Sequence, residues 1–268
     1  MYSFNIVLTE LCNANCSHCY MNNNSTRKKK TLFKENIDII IEKIPKNTRT
    51  VVLTGGEIFL VKDLLYYSIN RIKKTNPNIT IGLESNGIYL YNDVDNAKNE
   101  LIKLKNLGVN FIRFSDDPFH MDGGVDLNKV RSLKNLENNQ SPIIKYLVQD
   151  KAVPLGKAKD LSNEEKAISN CMNKKTSIDN PYLFIDIMGN VYTCAWKCVP
   201  SVGNILNDEF EKIVDNLSKK LNKLILSGEI ENAISYLTKE NIAKLRKLSK
   251  KNGQCSLCIK YLEGKKSL

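Results

Sequence analysis

Cys12-Asn13-Ala14-Asn15-Cys16-Ser17-His18-Cys19-Tyr20 puts three thiols within eight residues of one loop. The short apolar run at residues 4–8 reads as a strand, so the loop opens at a strand end. Three thiolates at this spacing can hold three irons of one cubane, whereas such clusters are ordinarily held by four cysteines. A missing fourth ligand leaves one iron open, which suits a cluster that must bind a cofactor directly. Zinc prefers a closed tetrahedron built from two separated pairs, and His18 lies too close to Cys19 to complete one easily. By itself the triplet leaves a cluster evenly balanced against a zinc site or unrelated thiols.

Outward from the loop, short apolar runs alternate with helical spacing. Residues 32–44 read as a helix and residues 51–53 as a second strand that ends in the turn Thr54-Gly55-Gly56-Glu57. A helix over 61–74 leads to a third strand at 79–83, which runs into Glu84-Ser85-Asn86-Gly87. A further helix ends near Gly108, in the place of a C′ glycine. The fourth strand, 111–114, runs into Ser115-Asp116-Asp117, and a weaker helix over 126–136 leads to a fifth at 143–148. Strands that alternate with helices predict βαβ units and a parallel sheet. In such sheets function gathers beyond the carboxyl ends of the strands, and each of these polar clusters sits there.

Those clusters carry a resemblance. The chain resembles the radical S-adenosylmethionine superfamily, whose motif is C-x3-C-x2-C in the loop after the first strand; Cys12, Cys16 and Cys19 match it in spacing and place. His18 stands where that family usually has an aromatic residue near the adenine. Gly55-Gly56-Glu57 is similar to the family's GGE motif, which holds the cofactor's amino group: glycines allow close approach and a carboxylate accepts from an ammonium. Ser85-Asn86 resembles its TNG-like turn, Ser115 and Asp117 its ribose and carboxylate contacts. Pro154-Leu155-Gly156-Lys157-Ala158 resembles the P-x-G-R-A segment that ends many of its barrels. Tyr20 either contacts the cofactor or closes the loop. His120 completes an S-x-D-x-x-H string of a kind found in this superfamily, and is a catalytic candidate beside the alternative of a surface or capping histidine.

The resemblance spans roughly residues 4–158. It implies a partial (β/α)6 TIM-like barrel, with one unit shortened or lost because only five strands are clear. It also implies a [4Fe–4S] cluster, S-adenosylmethionine and an electron donor such as flavodoxin or ferredoxin. The cofactor is cleaved to methionine and a 5′-deoxyadenosyl radical that takes a hydrogen atom from the substrate, while the protein orients and shields it.

Of the eight cysteines, the other five, Cys171, Cys194, Cys198, Cys255 and Cys258, lie in the last hundred residues. Residues 183–187 and 191–193 flank Met188-Gly189-Asn190, a hairpin signal. From 209 to 251 the spacing is helical: Ile213, Leu217, Leu221 and Leu224, then Ile234 and Leu237, then Ile242, Leu245 and Leu248. The order C…G-x4-C…C-x2-C resembles the twitch domain, the short relative of the SPASM domain. By that match Cys171, Cys194, Cys255 and Cys258 ligate an auxiliary [4Fe–4S] cluster, with zinc as the alternative. Two units are therefore expected: a barrel over 1–158, and a hairpin-plus-helix auxiliary domain over 159–268. Cys198, beside the sole tryptophan Trp196, is left over as a spare buried thiol, a ligand in place of Cys171, or a catalytic hydrogen-atom donor, as in radical peptide epimerases of similar layout.

Composition narrows the partners. With 42% apolar residues the chain can build a core. No apolar run approaches the roughly 20 residues of a membrane span, and residues 1–11 read as a strand rather than a signal peptide; a cytosolic protein without a membrane partner is expected. Lys and Arg outnumber Asp and Glu by 40 to 29, but the lysines are dispersed and carry no nucleic-acid motif, so nucleic acid is not an expected partner. By the resemblance the substrate is a ribosomally made peptide, to be crosslinked or epimerised. The alternatives are a small-molecule, sugar-alcohol type dehydrogenation and a non-enzymatic zinc or iron–sulfur scaffold. Because the cysteine loop starts at residue 12, a peptide leader is expected to dock elsewhere or on a separate leader-binding protein.

Overall fold

The computed structural model describes residues 1–21, 28–149, 151–153, 155–162 and 180–262. Five strands, β1 (Tyr2–Val7), β2 (Thr48–Thr54), β3 (Thr80–Ser85), β4 (Val109–Ser115) and β5 (Ile143–Leu147), lie parallel and side by side in chain order. Parallel strands covered on both faces read as unbroken apolar runs, and Val51-Val52-Leu53 is one, wholly buried.

The covering helices present apolar residues at i, i+3 and i+4 to the sheet. Lys34–Lys43 buries Ile37, Ile40 and Ile41, and Lys62–Thr75 buries Leu65, Ile69 and Ile72. Val94–Asn106 starts at Asp93, whose carboxylate accepts from Asn96 N at 3.0 Å, an N-cap that satisfies an otherwise orphaned donor. The helix predicted over 126–136 is α only over Leu127–Ser132 and tightens to 3-10 over Leu133–Leu136. An unpredicted short helix, Pro118–Asp122, follows β4; Asp117 caps it and proline occupies its first turn.

The sixth parallel strand lies on the far side of β1 rather than beyond β5. β6 (Tyr182–Ile185) pairs with β1, Phe4 opposite Leu183, and the antiparallel strands β7 (Asn190–Tyr192) and β8 (Gly203–Asn204) continue the sheet. The full order is β5-β4-β3-β2-β1-β6-β7-β8. The hairpin signal around Gly189 is thus met, and β6 covers the edge of β1 that would otherwise expose unpaired backbone groups.

Side chains alternate across the strands. Inward positions of β1 (Asn5, Val7), β4 (Arg113, Ser115) and β6 (Tyr182, Phe184) line one cavity of about 500 Å³, reached also by Leu147 of β5. Strands β5 and β6 are separated by four others, so the sheet must curl for both to reach it. The last four helices, Lys220–Leu226, Ile230–Thr238, Ile242–Asn252 and Gln254–Tyr261, close around a second core that includes Leu221, Ile234, Leu245, Cys198, Cys255 and Cys258. Ile242 is exposed because it opens its helix at the surface.

Candidate active site

The cysteine loop is stitched down at both ends. Gly56 N donates to Thr9 O at 2.8 Å and Glu57 N to Leu11 O at 2.7 Å, so the turn after β2 holds the backbone leading to Cys12. Asn15 N donates to Gly123 O at 2.9 Å, and a Cβ on Gly123 would stand 2.6 Å from Cys16 N and 2.8 Å from its Sγ. Lys157 N donates to Cys19 O at 3.1 Å, and Gly156, at φ +56°, leaves no room for a Cβ, which would lie 2.4 Å from Cys19 O. Only glycine tolerates both that conformation and that approach. Gly123 carries no recognisable motif and is a site residue that sequence reasoning missed. Of the segment expected to end the barrel, Pro154 lies outside the described residues, and Leu155 to Ala158 back the loop.

A cup of about 120 Å³ opens above the strand ends, lined on one side by Cys12, Cys16, Gly55 and Gly56. Ser85, Asn86, Ser115 and His120 line it as well. Cys19 is half-buried and near enough to Cys12 and Cys16 to act electrostatically on both. Burial pushes the Cys12 thiol up and the Cys16 thiol to about 12, with the neighbouring thiols and Asp117 adding to the effect at Cys16. Cys12 Sγ has two donors, Ala14 N at 3.4 Å and Asn86 Nδ2 at 3.9 Å; Asn86 Nδ2 also reaches Asn13 Oδ1 at 2.8 Å.

Glu57 lies behind the cup and is 0% exposed. Its carboxylate accepts from Phe59 N (3.1 Å), Ser85 Oγ (2.9 and 3.0 Å) and Asn86 N (2.8 Å). Burial pushes its carboxyl up while these donors hold the charged form. The Glu57 carboxylate, which the resemblance aims at the cofactor's amino group, also positions the Ser85-Asn86 turn. The backbone of Gly55 and Gly56 is what reaches the cup.

His18, His120 and Cys16 bring their donor atoms within 4.8 Å of one another. His18 stacks on Phe119 at 5.0 Å and meets His120 edge-on at 4.7 Å. Its Nδ1 is buried with no hydrogen-bond partner among the described residues. Burial, with His120 adding and Asp117 opposing, lowers its pKa to about 4, so the ring is neutral at physiological pH. Asp117 grips His120 Nδ1 and also accepts from its backbone N–H at 3.0 Å.

Tyr20 turns away from the cup. Its ring meets Trp196 edge-on at 5.4 Å and joins the wall of the large cavity. Glu84 and Arg113, register partners on β3 and β4, form a 3.0 Å ion pair in that wall, and Arg113 Nε is buried without a partner among the described residues. Sequence reasoning passed over this pair. Its signal was a charge at an inward position of an otherwise apolar parallel strand.

In the second cysteine group, Cys171 lies outside the described residues. Cys194, Cys255 and Cys258 gather in the second core. The expectation of a hydrogen-atom donor at Cys198 meets a thiol 1% exposed that lines neither cavity and sits 4.0 Å from Cys194 Sγ.

Comparison with known proteins accords with this arrangement. Residues 6–134 match the model of the Radical SAM superfamily. BtrN in complex with AdoMet and 2-DOIA superposes with a TM-score of 0.59 at 15% identity, covering 86% of this chain and 89% of its own. Native anSMEcpe with bound AdoMet and Cp18Cys peptide gives a TM-score of 0.54 at 13% identity, covering 84% of this chain and 83% of its own. At such identities the likeness is one of fold. No curated protein matches the sequence. No helix among the described residues is long and apolar enough to cross a membrane.

The residues fit the cofactors of that superfamily. Soft thiolates suit iron–sulfur clusters, three stand on one loop, and a cup with close backbone and an unpartnered buried imidazole nitrogen adjoins them.

Proposed function

We propose that this chain is an enzyme that cleaves S-adenosylmethionine reductively and takes a hydrogen atom from a substrate held in the large cavity. The observation that carries the reading is the convergence of Cys12 and Cys16 with Gly55, Gly56, Asn86 and His120 on one cup. Cys12, Cys16 and Cys19 would hold a [4Fe–4S] cluster through three thiolates, with S-adenosylmethionine bound beside it. Bound there, such a cluster would supply the electron for reductive cleavage of S-adenosylmethionine.

The chain's own groups bind and orient. Backbone of Gly55 and Gly56 approaches the amino acid end, His18 Nδ1 meets the adenine, and Ser85 and Asn86 border the bound cofactor. Ser115 and Asp117 serve its ribose and carboxylate side, Asp117 acting through His120. Tyr20 with Trp196 walls off the substrate space. Cys194, Cys255 and Cys258 hold an auxiliary [4Fe–4S] cluster in a second, twitch-like unit. A flavodoxin or ferredoxin in the same compartment, the cytoplasm, delivers the electrons.

For the substrate we favour a ribosomally made peptide, crosslinked or epimerised and presented by a leader-binding partner. The net charge of +11 suits an acidic peptide, and the fold neighbour anSMEcpe was solved with a peptide bound. The second reading, dehydrogenation of a small molecule, is favoured by the cavity of about 500 Å³, a volume typical of small-ligand sites. Mass change on a co-encoded short peptide separates the two.

The deciding experiment is anaerobic reconstitution with iron and sulfide, reduction with S-adenosylmethionine, and assay of 5′-deoxyadenosine beside a variant with Cys12, Cys16 and Cys19 all replaced by alanine. Product from the wild type and none from the variant is the expected result. None from fully loaded wild type overturns the reading and leaves a metal-holding scaffold.

A further inference from the structure

The segment Cys194-Ala195-Trp196-Lys197-Cys198 closes on itself. Lys197 N donates to Cys194 O at 3.1 Å, and Lys197 takes φ +53°, a left-handed conformation at a residue other than glycine. That conformation is strained for a residue with a Cβ, and such strain persists where the surroundings require it, often at functional sites. Its consequence here is a division of side chains. Ala195, Trp196 and Lys197 line the large cavity, while both cysteines turn into the second core. There the two Sγ atoms stand 4.0 Å apart, too far for a disulfide of about 2.05 Å and close enough for one metal centre to bind both.

Two more thiols complete the set. Cys255 and Cys258 are buried in the same core, on the helix Gln254–Tyr261. Cys258 and Cys255 are both near enough to Cys198 to act on its thiol. Four thiols share one apolar space, and Cys198 neighbours the other three. A spare thiol would be expected among hydrocarbon side chains instead.

We infer that Cys198, and not Cys171, is the fourth ligand of the auxiliary iron–sulfur centre, with Cys194, Cys255 and Cys258. This rests on the reading that the second cysteine group holds a cluster. It removes Cys198 from the radical chemistry and makes the Cys194–Cys198 turn a bridge: its ligands face the cluster, and Trp196 and Lys197 face the substrate cavity.

The test uses the full chain with Cys12, Cys16 and Cys19 replaced by alanine, so that any cluster counted is the auxiliary one. After anaerobic reconstitution, iron and acid-labile sulfide are measured with the visible absorption and the electron paramagnetic resonance of the reduced protein. The parent is expected to hold about four irons per chain. Adding Cys198→Ala should lower iron and sulfide at least about tenfold, and adding Cys171→Ala should leave both unchanged. Cys198→Ser, which keeps the volume and offers an oxygen ligand, should keep the circular dichroism of the parent and shift the resonance signal. Full iron in Cys198→Ala, an unshifted signal in Cys198→Ser, or loss of iron in Cys171→Ala overturns the inference and leaves the auxiliary cluster standing. A parent that takes up zinc, or no metal, overturns the cluster reading and the inference together.

Discussion

Both carboxylate oxygens of Asp117 lie 2.9 Å from Nδ1 of His120, one helical turn away, and Asp117 is itself almost wholly buried. A carboxylate on one ring nitrogen fixes the tautomer and leaves Nε2 to whatever occupies the cup. Asp117→Asn separates this role from folding, because asparagine caps helices about as well as aspartate. The melting temperature should move by no more than about 2 °C, while 5′-deoxyadenosine formation falls roughly 10–100-fold. An unchanged rate would show that His120 needs no such anchor.

Asn86 joins three parts of the site, since its side chain reaches Asn13 Oδ1 and Cys12 Sγ while its backbone N–H is held by Glu57. Hydrogen bonds to cluster sulfurs and thiolates favour the reduced state by stabilising added negative charge. Asn86→Ala is therefore expected to make the midpoint potential of the first cluster more negative and to weaken iron retention about tenfold. Potentiometry followed by resonance spectroscopy reads both, and a midpoint equal to wild type contradicts the assignment.

Gly123 and Gly124 form a matched pair. Gly123→Ala would drive a methyl group against Cys16, with its Cβ 2.8 Å from Sγ, whereas a Cβ on Gly124 meets nothing within 4 Å although φ there is +91°. Overpacking at Gly123 should cost about 1–3 kcal/mol and release iron from the first cluster. Gly124→Ala should cost about 1–2 kcal/mol of backbone strain and leave the iron in place. Equal iron content in the two variants would rule out the contact as the cause.

Away from the site, Glu100 ties the helices Lys62–Thr75 and Val94–Asn106 together. It accepts from Lys62 Nζ at 2.8 Å and from the Tyr66 hydroxyl, and is nearly buried. Lys62 is 29% exposed, so solvent screens part of the pair. Glu100→Gln should cost about 1–2 kcal/mol in a denaturant titration, with an unchanged slope. A loss below about 0.3 kcal/mol would assign the contact to the weak surface class.

The alternation of strands and helices was legible because each carries its own period, and the polar turns at Gly55, Ser85 and Ser115 stood out against apolar strands. The place of β6 was not, since pairing with β1 joins residues about 180 apart in the chain, as Ser3 with Tyr182, and nothing in a local pattern names the partner of an edge strand. Glu57 shows a different limit. Its residue type suits an ammonium, and its burial and three donors, which no local pattern announces, are set by β3 and the helix turn beside it.

What the sequence by itself determined is the chemistry available: three thiols on one loop, a glycine-rich turn and a second set of cysteines, because spacing along the chain decides which side chains one loop can offer. What only the tertiary structure decided is which of them meet. The curl of the sheet puts His18, His120 and Cys16 together, and Gly123 and Gly156 let two distant segments close on the cysteine loop. The left-handed turn at Lys197 sends Cys198 away from the large cavity and in among three other thiols. Such choices rest on packing between residues far apart in the chain, where burial and steric fit outweigh local preference.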